Sequence, residues 1–211
     1  MLASFIYYAA LVFEGIIGVF GVRLYEEPGY EVLGRVADRV EIRRYGPRVA
    51  AEVEMPDSGG SGREQAFRLL FAYIAGANQL ATDASAKMAM TAPVEVRGPQ
   101  RLAMTVPVQT AADASGALRM RFFLPAKYSA DTAPRPRDSR VQIVTIPEET
   151  VATLRFSGTG ADFGERQSEL IRLLAESPWQ PTSAPYALNY DAPFTLPFMR
   201  RNEAAVAVVK R

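Results

Sequence analysis

The sequence predicts an α+β fold made of two copies of one strand–helix–strand unit, closing into one sheet or barrel with two helices outside. Three observations lead to this prediction: an internal repeat, apolar–polar alternation in the repeated strands, and matching helix-start chemistry in both copies. The copies are offset by about a hundred residues, which is the signature of a duplicated unit. A hydrophobic segment that precedes both copies is predicted to form an N-terminal helix.

The repeat is visible first in the strands. Residues 38–42 (DRVEI) are echoed by residues 139–143 (SRVQI), and both alternate apolar with polar side chains as half-buried strands do. A turn follows each, and then a second predicted strand, at 49–53 and 151–156. The Pro-rich stretch 129–139 joins the two copies. The pattern therefore predicts two equivalent strand pairs.

Both copies continue into a helix, predicted at 62–76 and 163–176. Each helix start fits a capping box, in which two side chains satisfy free N–H groups of the first turn: Ser61 with Glu64, and Asp162 with Glu165. Both helices carry an apolar stripe of the kind that packs on a sheet. In the first helix this stripe contains Phe67, Leu70, Phe71 and Ile74.

The motif Ala-Met-Thr-x-Pro-Val occurs twice, within the segments 88–96 and 102–108. Alternation predicts that these segments form a hairpin, with Pro93 and Pro107 at edges or bulges because proline has no N–H to donate. The methionines are predicted to pack in the core. A methionine-lined ligand cavity is the alternative.

Residues 2–22 are apolar apart from Glu14 and have about the 20 residues that a helix needs to cross a bilayer. We therefore divide the chain into a hydrophobic segment, 1–22, and a domain, 23–211. The segment predicts a membrane-anchored protein with a single N-terminal helix. A cleaved signal peptide, which would leave the domain periplasmic or secreted, is the alternative.

Composition removes several classes of function. The chain has no cysteine and no histidine, so cysteine zinc sites, iron–sulfur clusters and the commonest general base are excluded. A net charge of +1 gives no reason to expect a nucleic-acid partner. The adjacent acidic pairs Glu26/Glu27 and Glu148/Glu149 are interpreted as solvated. We therefore expect no enzyme, and assign neither catalytic nor metal-binding residues.

Six segments carry a resemblance to a known family: 30–33 (YEVL), 40–45 (VEIRRY), 87–94 (KMAMTAPV), 121–125 (RFFLP), 154–158 (LRFSG) and 200–203 (RRNE). Together they resemble the SOUL haem-binding protein family, over about residues 25–209. The resemblance implies a distorted antiparallel β-barrel formed by the duplicated halves and flanked by two helices. It also implies tetrapyrrole binding on a hydrophobic surface that involves the first helix.

Haem needs a flat apolar face, cations for its propionates and, in some proteins, an axial ligand. The first helix offers the apolar side chains Phe67, Phe71 and Ile74. The candidate cations are Arg63, Arg68 and Lys87. The family tends to carry a basic residue just before the tyrosine of this helix, a position that Ala72 holds here. The same apolar stripe would also serve simply to cover a sheet.

The sequence therefore predicts non-enzymatic binding of haem or a related tetrapyrrole in an apolar surface cleft. Without His or Cys, an axial bond can come only from Met, Tyr or Lys, or is absent. One alternative function is a small-molecule effector sensor. Another is an enzyme acting on a tetrapyrrole or hydrophobic substrate, with Glu41, Glu52 or Tyr45 supplying acid–base chemistry.

Overall fold

The computed structural model describes residues 26–56, 61–80, 84–97, 117–159, 161–191 and 195–211. The described strands are β1 Tyr30–Val36, β2 Val40–Tyr45, β3 Arg48–Pro56, β4 Asn78–Gln79, β5 Val94–Arg97, β6 Ala117–Phe123, β7 Arg135–Pro136, β8 Val141–Ile146, β9 Glu149–Phe156, β10 Trp179–Pro181, β11 Tyr186–Asn189 and β12 Asn202–Lys210. The helices are α1 Ser61–Ile74 and α2 Phe163–Ala175, and a 3₁₀ turn spans Pro197–Met199.

The strand order confirms the duplication. The main sheet runs β1-β2-β9-β12-β11-β5-β6-β3-β8, with β10 added beside β12, and every ladder is antiparallel. From β2 to β8 this order is symmetric. If each strand is replaced by its equivalent in the other copy (β2 by β8, β3 by β9, β5 by β11, β6 by β12), the same order is read from the opposite end. The copies meet where β5 pairs with β11. The first strand of each copy pairs with the second strand of the other copy, so neither half forms its sheet alone.

The sheet is a curled half-barrel, which corrects the prediction of a barrel. Among the described residues β1 and β8 lie at opposite ends of the strand order and do not pair with each other. The approximate twofold relation between the copies explains the open ends, because it joins the halves at the centre of the sheet. A sheet of about ten twisted strands curls without having to close.

Both helices lie on the same face of the sheet. Helix α1 covers β3, β6 and β8, and its Ala66, Leu70 and Tyr73 share a core with strand residues such as Phe122. Helix α2 covers β9, β10 and β12, and its Leu170 and Leu174 belong to a second core. Each helix buries positions three or four residues apart, as its periodicity predicts.

Both helices begin where the sequence predicts, but the predicted capping bond of Asp162 is wrong. Asp162 is the N-cap of α2, but its side chain makes no capping hydrogen bond. Ser61 is itself the first residue of α1. The residue that precedes it lies outside the described residues, so the capping box at Ser61 stays a prediction.

The methionine hairpin is only partly described. Strand β5 begins at Val94, directly after Pro93, where the missing N–H of proline leaves no ladder bond unmade. Its residues 94–96 have β6 on one side and β11 on the other, so the prediction that they pair with 102–108 in a hairpin is wrong. Residues 102–108, with Pro107 and the second predicted strand, lie outside the described residues. Met88 is 2% exposed and belongs to the core beneath α1, which confirms its predicted packing.

No helix within the described ranges is long and apolar enough to cross a membrane. The hydrophobic segment 2–22 and its predicted helix lie outside those ranges.

Candidate ligand-binding surfaces

Charged and tyrosine side chains line the face of the sheet opposite the helices. Because side chains alternate along a strand, Ile42 points towards α2 whereas Arg43 points to the other face. Curling of the sheet buries this second face: Arg43 is 3% exposed, Glu95 1% and Glu203 0%. Charges at that depth need partners, because an unpaired buried charge is strongly destabilising.

Glu203 is the centre of one buried network. Its carboxylate accepts hydrogen bonds from Arg43 Nη1 at 2.6 Å, Arg201 Nη2 at 2.8 Å and the Tyr190 hydroxyl at 2.8 Å. Burial raises the pKa of Glu203, but the hydrogen bonds and charges of the two arginines outweigh it, so the pKa lies below its ordinary value. The carboxylate is therefore an ionised structural anchor that ties β2 to β12.

A second network crosses β3, β5 and β6. Glu95 accepts hydrogen bonds from Arg97 Nε at 2.8 Å and from Arg121 Nη1 at 2.9 Å. Arg121 also pairs with Glu52 through a 2.5 Å contact. The Arg97 guanidinium lies 3.8 Å from the centre of the Tyr186 ring. The acidic groups of this face are thus held by arginines rather than exposed to a substrate.

Residues 26–29, here called the strap, cross one end of the charged face. The Glu26 carbonyl accepts a hydrogen bond from Ala92 N at 3.1 Å, and its carboxylate accepts one from Ala126 N at 2.7 Å. Glu27 forms a 3.1 Å ion pair with Arg201. The strap therefore bonds to both halves of the sheet. Glu26 is exposed, as interpreted from the sequence, whereas Glu27 is half-buried in its ion pair, which corrects the interpretation of Glu27 as solvated.

A cavity of about 190 Å³, here called the strap cavity, lies beside the strap and the turn between β2 and β3. Its apolar walls include Val49, Phe123 and Leu124. Arg48 also lines it and forms an ion pair with Glu149, which corrects the interpretation of Glu149 as solvated.

Sequence reasoning missed Arg48 because a basic residue at the start of a strand is usually solvated. A signal was nevertheless present. Arg48 and Glu149 are the first residues of β3 and β9, which are equivalent strands of the two copies, and they are 101 positions apart. Opposite charges at equivalent positions of a duplicated unit indicate a pair across the approximate twofold axis.

The predicted haem surface lies on α1, and none of its candidate residues lines the strap cavity. The rings of Phe67 and Phe71 are nearly parallel, at 13° with centroids 6.1 Å apart. Phe71 is 42% exposed, whereas Phe67 is half-buried and meets the Phe122 ring edge-on at 5.4 Å. We call this pair the Phe67–Phe71 surface.

Ile74 does not extend this surface. It is 5% exposed and belongs to the core beneath α1, because it lies on the edge of the helix that faces the sheet. The prediction that Ile74 contacts haem, which was based on helical spacing, is therefore wrong.

The candidate cations occupy different positions around α1. Arg63 is exposed one turn before Phe67, at the four-residue spacing that places two side chains on one helix face. Arg68 is exposed and forms a 2.6 Å ion pair with Glu64. Lys87 is exposed near the C-terminal end of α1, where its side chain approaches Gly76. Arg63 and Lys87 therefore lie towards opposite ends of α1.

These features define a duplicated α+β module with an aromatic surface on α1 and a small, partly open cavity beside the strap. The chain belongs to the SOUL heme-binding protein family, whose pattern it matches over residues 25–207. None of the curated proteins compared with it matches the sequence significantly.

Several solved structures share the fold. The EcmrR C-terminal domain superposes with a TM-score of 0.57 at 10% identity, covering 86% of this chain and 99% of that one. An uncharacterized conserved protein from Listeria innocua gives 0.58 at 11% identity, and a hydrolase from the same organism gives 0.54 at 13%. Each of those two comparisons covers 81% of this chain and 92% of the other. At such identities the similarity shows the fold alone.

Proposed function

We propose that the protein binds haem or a related tetrapyrrole on the Phe67–Phe71 surface, without His or Cys ligation and without catalysis. The observation that carries the proposal is the nearly parallel aromatic pair on α1, of which Phe71 is exposed, in a chain of the SOUL family. The two rings stack on each other, and the exposed ring of Phe71 offers an apolar surface against which a planar macrocycle can pack in an offset arrangement.

Size favours the helix surface over the strap cavity. Pockets for drug-sized ligands occupy about 300–1,000 Å³, and a tetrapyrrole is at least as large as such ligands. The strap cavity, at about 190 Å³, is too small. The tetrapyrrole is therefore proposed to lie on the surface, with its propionates directed to a cation beside the aromatic pair.

Arg63 is the best placed partner for a propionate. It shares a helix face with Phe67, whereas Arg68 is already paired with Glu64. Lys87 offers a second positive charge at the opposite end of α1. Haem would bring its own iron chemistry, while these residues stack the ring and neutralise its carboxylates.

The absence of catalysis remains a proposal, and the state of the suggested acid–base groups supports it. Burial opposes ionisation of Glu41, but hydrogen bonds from Arg43 and Arg35 leave its pKa lowered. Glu52 pairs with Arg121, and burial raises the pKa of Tyr45. Carboxylates neutralised by arginine and a tyrosine held protonated are poor proton carriers near neutral pH.

We also propose that segment 2–22 tethers the domain to a membrane. Its length and nearly uncharged composition support this. Removal of the same segment as a signal peptide is the competing possibility.

Titration of the purified protein with haemin tests the proposed function. We expect a saturable change in the Soret band with micromolar or tighter affinity. Because Met88 packs in the core and Met90 lies half-buried against it, the spectrum should lack a six-coordinate low-spin form. Binding no tighter than to an unrelated apolar protein would refute the proposal. A low-spin spectrum abolished by one Met, Tyr or Lys substitution would refute the absence of axial ligation.

A further inference from the structure

We infer that the 3₁₀ turn Pro197–Met199 inserts its exposed Phe198 and Met199 side chains into the surface of a lipid bilayer. This inference rests on the proposed tether at segment 2–22 and is independent of haem binding. It adds a second point of contact with the membrane, on the folded domain itself.

The turn presents an apolar surface to solvent. Phe198 is 71% exposed, the highest value among the exposed large hydrophobic residues that the structure describes, and Met199 is 38% exposed. Residues 195–199 (TLPFM) carry no charge. A ring and a thioether that are exposed side by side gain free energy when they leave water for the headgroup boundary of a bilayer, as the apolar faces of interfacial helices do.

Several backbone polar groups of the turn are already hydrogen-bonded within the protein. Pro197 has no N–H group, and its carbonyl accepts hydrogen bonds from Gly158 N at 3.0 Å and Arg200 N at 3.2 Å. Met199 N donates to the Leu196 carbonyl at 2.8 Å. Because these groups are paired, they do not have to give up bonds to water on insertion, a loss that would otherwise oppose it.

The turn and the strap lie beyond the same end of the sheet. Val94 of β5 pairs with Asn189 of β11, and Asn189 pairs with Asn202 of β12. Strands β5 and β12 both begin at this level, so the residues that precede them leave the sheet at one end. The strap bonds to Ala92, just before β5, and the turn comes just before β12.

A short link joins the proposed tether to this end of the sheet. Glu26 follows the last residue of segment 2–22 by four positions, which span at most about 14 Å in an extended chain. Glu27 then forms its 3.1 Å ion pair with Arg201, which lies two residues after the turn. A tether anchored in a bilayer therefore keeps the turn close to the membrane surface. This proximity favours lipid, rather than another protein, as the occupant.

The single tryptophan of the chain lies at the opposite end of β12. Trp179 pairs with Lys210, whereas the turn precedes Asn202, and the strand between them has nine residues. At about 3.3 Å per residue, the two ends are about 25 Å apart. A bilayer that contacts the turn should therefore leave the native tryptophan fluorescence unchanged.

The test uses the full chain reconstituted in phosphatidylcholine vesicles, with and without bromine atoms on the acyl chains, which quench tryptophan on contact. Phe198→Trp places a fluorophore on the turn. We expect brominated lipid to remove about half or more of the emission that this variant adds to that of the parent, because interfacial apolar groups lie about 5–10 Å into the headgroup boundary. The parent and Val209→Trp, at a 51% exposed position near Trp179, should lose little emission.

A second pair of variants tests whether apolar contact drives the insertion. Met199→Trp should be quenched as Phe198→Trp is. Adding Phe198→Asp to it places a charge on the turn, which insertion into a bilayer disfavours, and should restore most of the quenched emission. Both positions are exposed, so folding should be retained, and circular dichroism of the variants checks this.

Flotation of the vesicles distinguishes failure of the inference from failure of the tether. If the parent does not float with the vesicles, the tether is wrong and the inference falls with it. If the parent floats but brominated lipid quenches Phe198→Trp no more than Val209→Trp, the inference alone is wrong. If the fluorophore of Phe198→Trp is shielded from acrylamide in water yet not quenched by brominated lipid, a protein surface such as a second copy covers the turn, and this also overturns insertion into lipid.

Discussion

The Glu203→Ala variant is expected to lose about 3 kcal/mol of unfolding free energy, near the lower end of the range for breaking a buried ion pair. The Glu203 side chain is 0% exposed and that of Arg43 4%. Removing the carboxylate leaves Arg43, Arg201 and the Tyr190 hydroxyl without their shared acceptor. The loss stays near the lower end because Arg43 keeps Glu41 and Arg201 keeps Glu27. Urea denaturation measures it.

Glu54→Ala is the matched control. Glu54 pairs with Arg119 at 2.8 Å, but its side chain is 46% exposed, so the loss should stay below about 1 kcal/mol. Equal losses in the two variants would show that burial of the Glu203 network adds nothing.

The Glu203 contribution should also depend on pH. The pKa of Glu203 in the folded protein lies below the ordinary value of a glutamate, so the unfolded chain takes up this proton first as pH falls. The stabilisation is therefore complete above about pH 5 and is lost as pH drops through the folded pKa. Parent and Glu203→Ala stabilities should converge towards acid pH.

Replacing both Phe67 and Phe71 with alanine is expected to weaken haem binding by about tenfold or more, because the stacking surface is lost. Phe67 also touches Phe122, so the double variant should lose some stability. Phe71→Ala alone removes an exposed ring and isolates the binding effect. Soret titrations of the parent, single and double variants measure the change.

Two further variants test whether this loss is specific. Phe198→Ala removes a ring that is 71% exposed on the 3₁₀ turn, and should leave haem affinity unchanged. Met90→Leu should leave the Soret position unchanged, because no methionine bond to iron is proposed. Equal losses in Phe198→Ala and Phe71→Ala would indicate non-specific adsorption of haem to exposed aromatic residues.

Much of the fold could be predicted because strands and helices leave patterns in short stretches of the sequence. The strand that begins at Val40 and its repeat at Val141 alternate visibly, and Asp162 marks the start of α2. The pairing of β2 with β9 could not be predicted in this way. It joins residues more than a hundred positions apart, and alternation along a strand does not specify its neighbour.

In the candidate site, too, some residues could be predicted from the sequence and others could not. Phe67 and Phe71 follow from helical spacing, but spacing alone could not decide that Ile74 faces the sheet. The strap cavity depends on contacts from Glu26 to Ala126 and from Arg48 to Glu149. Such contacts come from the packing of segments that are distant in sequence. In a single sequence, only the equivalent positions of the two copies indicate such a contact.

The most direct measurement of the central claim is an ¹H–¹⁵N NMR map of the protein with ferric haem, whose unpaired electrons broaden nearby amide signals. Gallium protoporphyrin, which is diamagnetic, provides the control for ordinary binding shifts. We expect the broadening to saturate and to be strongest on α1 around Arg63, Phe67 and Phe71, while the strap at residues 26–29 is unaffected. Broadening centred on the strap, or spread over the surface without saturation, would contradict it.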